Sequence, residues 1–468
     1  MSAEFDRMTA LDLRRLIVGK QVSPVELTRR ALERAAATQA TLNAFVTLMP
    51  EQSLAAARVA EDVVIRGAPL GLLHGLPISV KDLIAVKDMP YTSGSRVLAD
   101  NVAAADAPAV ERVRTAGAII IGKTTTSEFG CKPVGDSPLT GITRNPWDLG
   151  KTPGGSSAGA AASVAAGITP FALATDGGGS IRIPCSFTGL AGLKGQFGRV
   201  PVWPTSATPT LAHVGPIARN VADMALLFSV IAGYDPRDPF SVAGPVPDVL
   251  GMTHASVAGL RVAYSPTLSY ACPDKQVLQI TDRAAALFEV LGCHVDIVDR
   301  VFERDPADLW TSEFYAGVGI RLREVFERRR EMLDPAVSEI LQQALSQQMA
   351  DYYAKVFERY VLRDSLRRFF DRYDLLISPV LPVTSLEVGR DIPEGLANRN
   401  LVSWVFYTYP FNLTGNPAGT VCAGVAADGM PVGLQIVGRG HAEGDVVRAA
   451  AAFEHAQPAG YNRPPWGG

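Results

Sequence analysis

The sequence predicts an α/β protein, a sheet covered by helices on both faces. Short apolar runs alternate along the chain with amphipathic helical stretches, the pattern of strands joined by helical crossovers. Hydrophobic residues make up 47% and charged residues 19%, so a large buried core is expected and disorder is not. The chain carries no repeat, low-complexity tract or flexible linker. Its 468 residues would suit two to four domains or one large α/β domain. We expect one domain carrying an inserted, mostly helical region.

Two helices open the chain. "TALDLRRLIVGK" starts at a Thr9 cap, and "SPVELTRRALERAAA" has a capping box of Ser23 and Glu26 with Pro24 at the first helical position. A third helix covers roughly 51–66. "GLPISVKD" (75–82) and "GAIIIGK" (117–123) read as buried strands, with "AVERVRTA" (109–116) helical between them. A helix of small residues near 157–167 leads to a strand at 171–175, and residues 220–232 form another helix. The Pro-rich stretch 235–248 is a crossing loop. Strand 260–265, helix 275–291 and strand 294–299 follow, then a largely helical, aromatic stretch from 306 to 370. Strands at 374–380 and 430–438 return to the buried character.

Composition excludes several classes of function. A net charge of −3 with no dense Lys/Arg stripe argues against a nucleic-acid surface. The most basic run, "RLREVFERRREM" (321–332), alternates sign as a solvated helix face does. Five cysteines with no CxxC pair, and six histidines that do not cluster with them, fit a reducing cytoplasm without disulfides or metal. The opening "MSAEFDRMTALDLRRL" lacks the apolar core of a signal peptide. Residues 152–175 are uncharged but consist mostly of Gly, Ala, Ser and Thr, too weakly apolar for a lipid-facing span. A tightly packed interior helix and a buried strand are expected there.

Residues 117–124, Gly-Ala-Ile-Ile-Ile-Gly-Lys-Thr, match the phosphate-loop pattern GxxxxGK[ST] literally. A phosphate loop must curl its N–H groups around an anion. One alanine and three isoleucines belong inside a strand, so strand plus turn is the reading here.

A second constellation carries chemistry. Lys81 ends an apolar strand, Ser156 follows two glycines in "TPGGSSAGAAA", and Ser180 follows three in "TDGGGSIRIP". Each glycine costs about 0.5–1 kcal/mol relative to alanine in regular structure, so three together need a reason. A hydroxyl nucleophile needs a base, which a lysine made neutral by burial can supply. It also needs unobstructed N–H donors for a developing oxyanion, which consecutive glycines provide. No histidine sits in a comparable setting, and His213 is expected to be structural or to line the substrate.

These segments, with "GLAGLKGQFGRV", "YPFNLTGNPAG" and "GMPVGLQIVGR", resemble the amidase signature family of serine hydrolases. The resemblance is strong over about 8–232, returns at 374–440, and is not seen over 240–370. It implies the amidase signature fold: a central mixed, twisted sheet covered by helices, with a largely helical insertion. Residues 1–66 would be N-terminal helices, 67–232 the signature core, 240–370 the variable insertion and 371–468 the return to the core of a single domain. It also implies a Ser–cisSer–Lys triad whose two serines lie 24 positions apart, as Ser156 and Ser180 do. Ser180 would be the nucleophile, and Ser156, in a cis peptide, would relay its proton to Lys81. The backbone amides of Gly177, Gly178, Gly179 and Ser180 would form the oxyanion hole. Asp176 and Arg182 would brace that loop, with Ser157 a supporting hydrogen-bonding residue. Two positions depart from the family pattern: the commonest loop has threonine where Gly177 stands and glycine where Ala158 stands. The first departure would loosen the loop or widen the acyl pocket.

What the resemblance implies is acyl transfer from a small amide, ester or carbamate substrate, without cofactor or metal, in a monomer or homodimer. Substrate walls are expected from Cys131 to Asp136 with Gly135, from "WPTSATPTLAH" (203–213) with Trp203 and His213, from Tyr315, and from "WVFYTYPF" (404–411) with Tyr409. Such aromatic, uncharged linings suit an apolar or aryl amide, ester or urethane. The alternatives are the glutaminase component of a tRNA-dependent amidotransferase, and a binding protein on a retired hydrolase fold, which the intact lysine and serines disfavour.

Overall fold

Eleven strands form one mixed sheet in the computed structural model, which describes residue 6 and residues 8–457. Residues 1–5 and 7 of the opening stretch, and 458–468 of the returning core, lie outside the described residues. In chain order the strands are β1 (Phe45–Leu48), β2 (Pro77–Lys81), β3 (Ile119–Thr124), β4 (Phe171–Asp176), β5 (Ala191–Lys194), β6 (His213–Ala218), β7 (Arg261–Tyr264), β8 (His294–Ile297), β9 (Leu375–Pro379), β10 (Ala418–Val425) and β11 (Pro431–Gly438). Across the sheet they lie in the order β1-β3-β2-β4-β6-β5-β10-β11-β9-β7-β8. The β3-β2-β4 and β9-β7-β8 neighbours are parallel, and the remaining pairs are antiparallel.

The parallel trio positions the site. β2 pairs with β3 on one side and β4 on the other, so Lys81 and Asp176 end neighbouring strands that run the same way. The carboxyl ends of parallel strands are where α/β sheets place ligands. β6 then runs antiparallel to β4 and sets His213 opposite Asp176. The small-residue helix Ala158–Ala165 is buried at every position. A β-carbon on its Gly159 would fall 2.1 Å from the Ala44 carbonyl oxygen, so only glycine lets this helix approach so closely. The uncharged stretch 152–175 is thus an interior helix and strand, and no described helix is long and apolar enough to cross a membrane.

The N-terminal helices Ala10–Val18 and Pro24–Leu42 start where the caps predict, and the third, Pro50–Ile65, starts without a side-chain cap. Thr9 accepts from the Asp12 amide, and Ser23 accepts from those of Val25 and Glu26. The phosphate-loop look-alike is a strand. Its Lys123 is fully buried, pairs with Asp82 at 3.1 Å, and donates to the carbonyls of Ile84 and Pro90 at 2.8 and 2.9 Å.

Four strands of the sheet were not expected: β1, β5, β6 and β10. β6 holds Gly215 and Pro216 in the middle of the sheet, the residues that normally mark turns. β5 is four residues long and contains Gly192. Within 240–370, strands β7 and β8 extend the sheet to its far edge, while the helices Ala307–Arg321, Pro335–Leu345 and Met349–Phe369 cover the site end.

Candidate active site

Lys81 reaches from the end of β2 into a fully enclosed position. Its ammonium nitrogen lies 2.7 Å from Ser156 Oγ, 2.9 Å from Ser157 Oγ and 2.9 Å from Thr175 Oγ1. Burial pushes its pKa well below the ordinary lysine value, against the opposing pull of Asp176. The Gly155–Ser156 peptide is cis. Gly130, at φ +73°, passes beside Ser156, and a β-carbon there would stand 3.2 Å from Ser156 Oγ. Ser180 is half-buried and lines the same cavity as Ser156. Its hydroxyl holds no hydrogen bond among the described residues, so the structure joins Lys81 to Ser156 and places Ser180 in the wall of the same cavity.

The loop bearing Ser180 is anchored by a buried ion pair. The Arg182 guanidinium grips Asp176 through Nε at 3.0 Å and Nη2 at 2.9 Å. Its other donors reach the Thr408 carbonyl, Gln435 Oε1 and Asn412 Oδ1 at 2.8, 2.8 and 2.6 Å. Asp176 also accepts from the Gly179 and Ile181 amides and from Asn412 Nδ2. Burial alone would raise its pKa, but the charge and hydrogen bonds of Arg182 outweigh that and hold it well below the usual carboxylate range.

The four-amide oxyanion hole needs one correction. The Gly179 N–H donates to Asp176 Oδ1 at 2.8 Å, so it is spent inside the loop. The amides of Gly177, Gly178 and Ser180 make no hydrogen bond among the described residues. Phe314 lies against Gly177, where a β-carbon would fall 2.8 Å from its ring. Trp310 lies against Gly178, where the distance would be 2.5 Å. The Gly177 departure therefore leaves no gap, because Phe314 fills the space.

A cavity of about 360 Å³ opens above Ser180. Leu83, Ile84, Tyr91, Phe129, Trp203, Phe314, Val318 and Leu322 supply most of its apolar wall, and Asp176 and Arg321 are its charged side chains. Trp203, with an Arg237 guanidinium 5.1 Å from its ring centre, and His213 are in the wall. His213 Nδ1 faces the carbonyls of Leu211 (2.8 Å) and Asp176 (3.2 Å), so it carries the proton, and Nε2 faces Lys194 Nζ at 3.4 Å. Burial, then the Lys194 charge, push its pKa well down, so His213 is neutral with both ring nitrogens occupied.

Cys131, Gly135, Tyr315 and Tyr409 are not in this wall, contrary to expectation. Tyr315 is fully buried and donates to the Cys131 carbonyl at 2.7 Å, while Tyr409 is fully buried and donates to Asp305 at 2.6 Å. Both rings pack against Trp310. Gly135 is a spacer, since a β-carbon there would meet that of Ala158 at 2.9 Å. The second departure, Ala158, is thus accommodated by packing. Thr408, within the 404–411 stretch expected as a wall, is not in it and donates to the Gly178 carbonyl instead, while sequence reading missed Thr175, Gly130, Trp310 and Phe314. Thr175 could have been found, because it stands two strand positions from the buried Leu173 yet carries a hydroxyl. The others gave no local signal.

A family model described as Amidase matches residues 26–447, a span that includes the 240–370 stretch. An acylamidase of Rhodococcus erythropolis is 36% identical over 457 residues, covering 96% of both chains. The A-type component of the glutamyl-tRNA(Gln) amidotransferase of Geobacter sp. (strain M21) is 34% identical, again over 96% of each chain. The crystal structure of a bacterial aryl acylamidase of the amidase signature family superposes with a TM-score of 0.92 at 30% identity, covering 98% of this chain and 99% of that one. The chain belongs to the amidase signature family.

Proposed function

We propose that the protein hydrolyses C–N bonds of small apolar or aryl linear amides through an acyl-enzyme on Ser180. The observation that carries this reading is the buried Lys81 amine 2.7 Å from Ser156 Oγ, with Ser156 and Ser180 lining one largely apolar cavity.

The hydrogen bonds support one proton path. A neutral amine has two N–H donors and one lone pair. Ser157 Oγ donates to the Thr175 carbonyl at 3.2 Å, so it accepts from Lys81, and Thr175 Oγ1 takes the second N–H. The lone pair is left for the Ser156 hydroxyl, which donates to it and can accept from Ser180 in the reacting complex. Ser180 Oγ then attacks the carbonyl carbon while its proton passes to Ser156 and the Ser156 proton to Lys81. The Gly177, Gly178 and Ser180 amides receive the negative charge on the carbonyl oxygen. Collapse breaks the C–N bond, the relay returns its proton to the leaving amine, and water, deprotonated by the same path, releases the acid and Ser180.

Esters and carbamates present the same carbonyl to the same hydroxyl and fall within this reading. The likeness to the amidotransferase component supports a second one, release of ammonia from glutamine. The wall argues against it: an amino acid's ammonium needs a carboxylate, and Asp176 is saturated by Arg182, Asn412 and two amides. A fluorophosphonate probe tests the reading. Labelling lost in Ser180→Ala, with turnover of 4-nitroacetanilide and nitrophenyl esters by the wild type alone, is the expected result. Labelling or turnover that survives Ser180→Ala refutes it, and glutaminase activity appearing only with added partner proteins favours the second reading.

A further inference from the structure

Each peptide plane of the loop 176–180 is held by a donor on its carbonyl. The Asp176 carbonyl accepts from Asn412 Nδ2 at 3.1 Å and His213 Nδ1 at 3.2 Å. The Gly177 carbonyl accepts from Trp310 Nε1 at 2.8 Å, and the Gly178 carbonyl from Thr408 Oγ1 at 2.6 Å. The Gly179 carbonyl accepts from the Ile183 amide at 2.7 Å. In a trans peptide the N–H of the next residue points opposite to the carbonyl. Fixing these four oxygens therefore fixes the N–H directions of Gly177, Gly178, Gly179 and Ser180. One outcome is visible: the plane held by Thr408 sends the Gly179 N–H to Asp176. The plane held by Trp310 turns the Gly178 N–H away from the indole and leaves it without a partner among the described residues.

We propose that Trp310 is a positioning residue for the reaction, its indole N–H orienting the Gly178 amide as an oxyanion donor. The proposal rests on the reading of Ser180 as nucleophile. Trp310 belongs to the helix Ala307–Arg321 and not to the glycine loop, so a helix 133 positions further along the chain holds the loop's geometry. The indole is itself fixed. Its ring stacks on Phe314 at 4.5 Å and on Tyr409 at 5.9 Å, and it is 4% exposed. Gly178 is what lets the ring come so near, since any side chain there would overlap it. A glycine peptide has little torsional preference of its own, so an external hydrogen bond decides which way its amide faces.

Trp310→Phe keeps a stacked ring and removes the donor. Should that variant fold poorly, 3-benzothienylalanine at 310 replaces only the N–H by sulfur. We expect kcat for 4-nitroacetanilide to fall at least about tenfold, toward the cost of losing an oxyanion donor, with KM within about twofold and the alkaline limb of the pH profile unmoved. Affinity for an aryl trifluoromethyl ketone, which presents the oxyanion, should fall by the same factor. A role in packing alone would lower the melting temperature without that split. Unchanged kcat, or kcat and KM moving together, overturns the proposal. Failure of the underlying reading is distinct from both, because it would show as turnover that survives Ser180→Ala.

Discussion

Phe314 occupies the space that a side chain at Gly177 would need, its Cε2 standing 2.8 Å from where a β-carbon would lie. The two positions are therefore one unit, a small residue in the glycine loop matched to a ring from the covering helix. Gly177→Thr, which introduces the threonine common in the family loop, must displace that ring. Overpacking of this kind costs about 1–3 kcal/mol. We expect a lower melting temperature and a weakened kcat/KM for aryl acyl substrates, both largely recovered in Gly177→Thr/Phe314→Ala. A double-mutant cycle measures the coupling, and additive effects would show that the two positions are independent.

With Lys81 as the proposed base, the rate depends on pH in a stated direction. The lysine pKa lies well below the ordinary 10.5 because burial penalises the charge. The rate should rise as the amine loses its proton and reach its plateau below that value. Lys81→Arg, which stays charged, should abolish turnover. The same shift acts on stability. Between the depressed folded pKa and 10.5 the unfolded chain binds a proton that the folded chain does not, so stability gains as pH rises through that window. Replacing the amine removes this term, and the melting temperature of Lys81→Met relative to wild type should improve as pH falls from about 10 to about 7. A rate that first rises only near or above pH 10.5, the ordinary lysine value, would contradict the neutral-amine assignment.

Arg182 and Asp176 should behave as a pair. Arg182→Met leaves a buried carboxylate without its cation, a loss of about 3–5 kcal/mol. In the wild type the Asp176 pKa is depressed, so its contribution is present above 3.8 and disappears only as pH falls through the lower folded value. In the variant the carboxyl titrates higher, and the deficit should be greatest near neutral pH and shrink on acidification. Urea melts at about pH 7 and about pH 4 read this difference. A deficit that does not change with pH would mean that the guanidinium acts by packing alone.

The parts of the site that announce themselves in the sequence break a local pattern. Lys81 is a charge at the end of an apolar strand, and the glycines before Ser180 spend backbone entropy where a turn would not need three. Ordinary residues made ordinary by their neighbours stay silent. Trp310 and Phe314 sit on an aromatic helix that reads as core, and only the spatial meeting with Gly177 and Gly178 gives them another role. The aromatic residues named as walls, Tyr315 and Tyr409, went the other way, because a ring is more often buried against other rings than against a substrate. Strand β6 was hidden by Pro216, whose missing N–H argues locally against a central strand while the sheet on either side tolerates it.

Thr175 tests the proton path most directly. On the proposed path its hydroxyl and that of Ser157, 2.9 Å from Lys81 Nζ, take the two N–H groups of a neutral amine and leave the lone pair for Ser156. Thr175→Val keeps the shape and removes one acceptor. The amine is then free to donate to Ser156, which puts a hydrogen where the lone pair must be. A lost acceptor also disfavours the charged amine more than the neutral one, so the Lys81 pKa falls further. Two effects of opposite appearance are expected together. The alkaline limb of the rate profile should move to lower pH, while the plateau should drop about tenfold or more, within the range that a misplaced base costs. A plateau that drops with the limb unmoved would assign Thr175 to packing, and an unchanged profile would show that Lys81 needs no second acceptor to face Ser156.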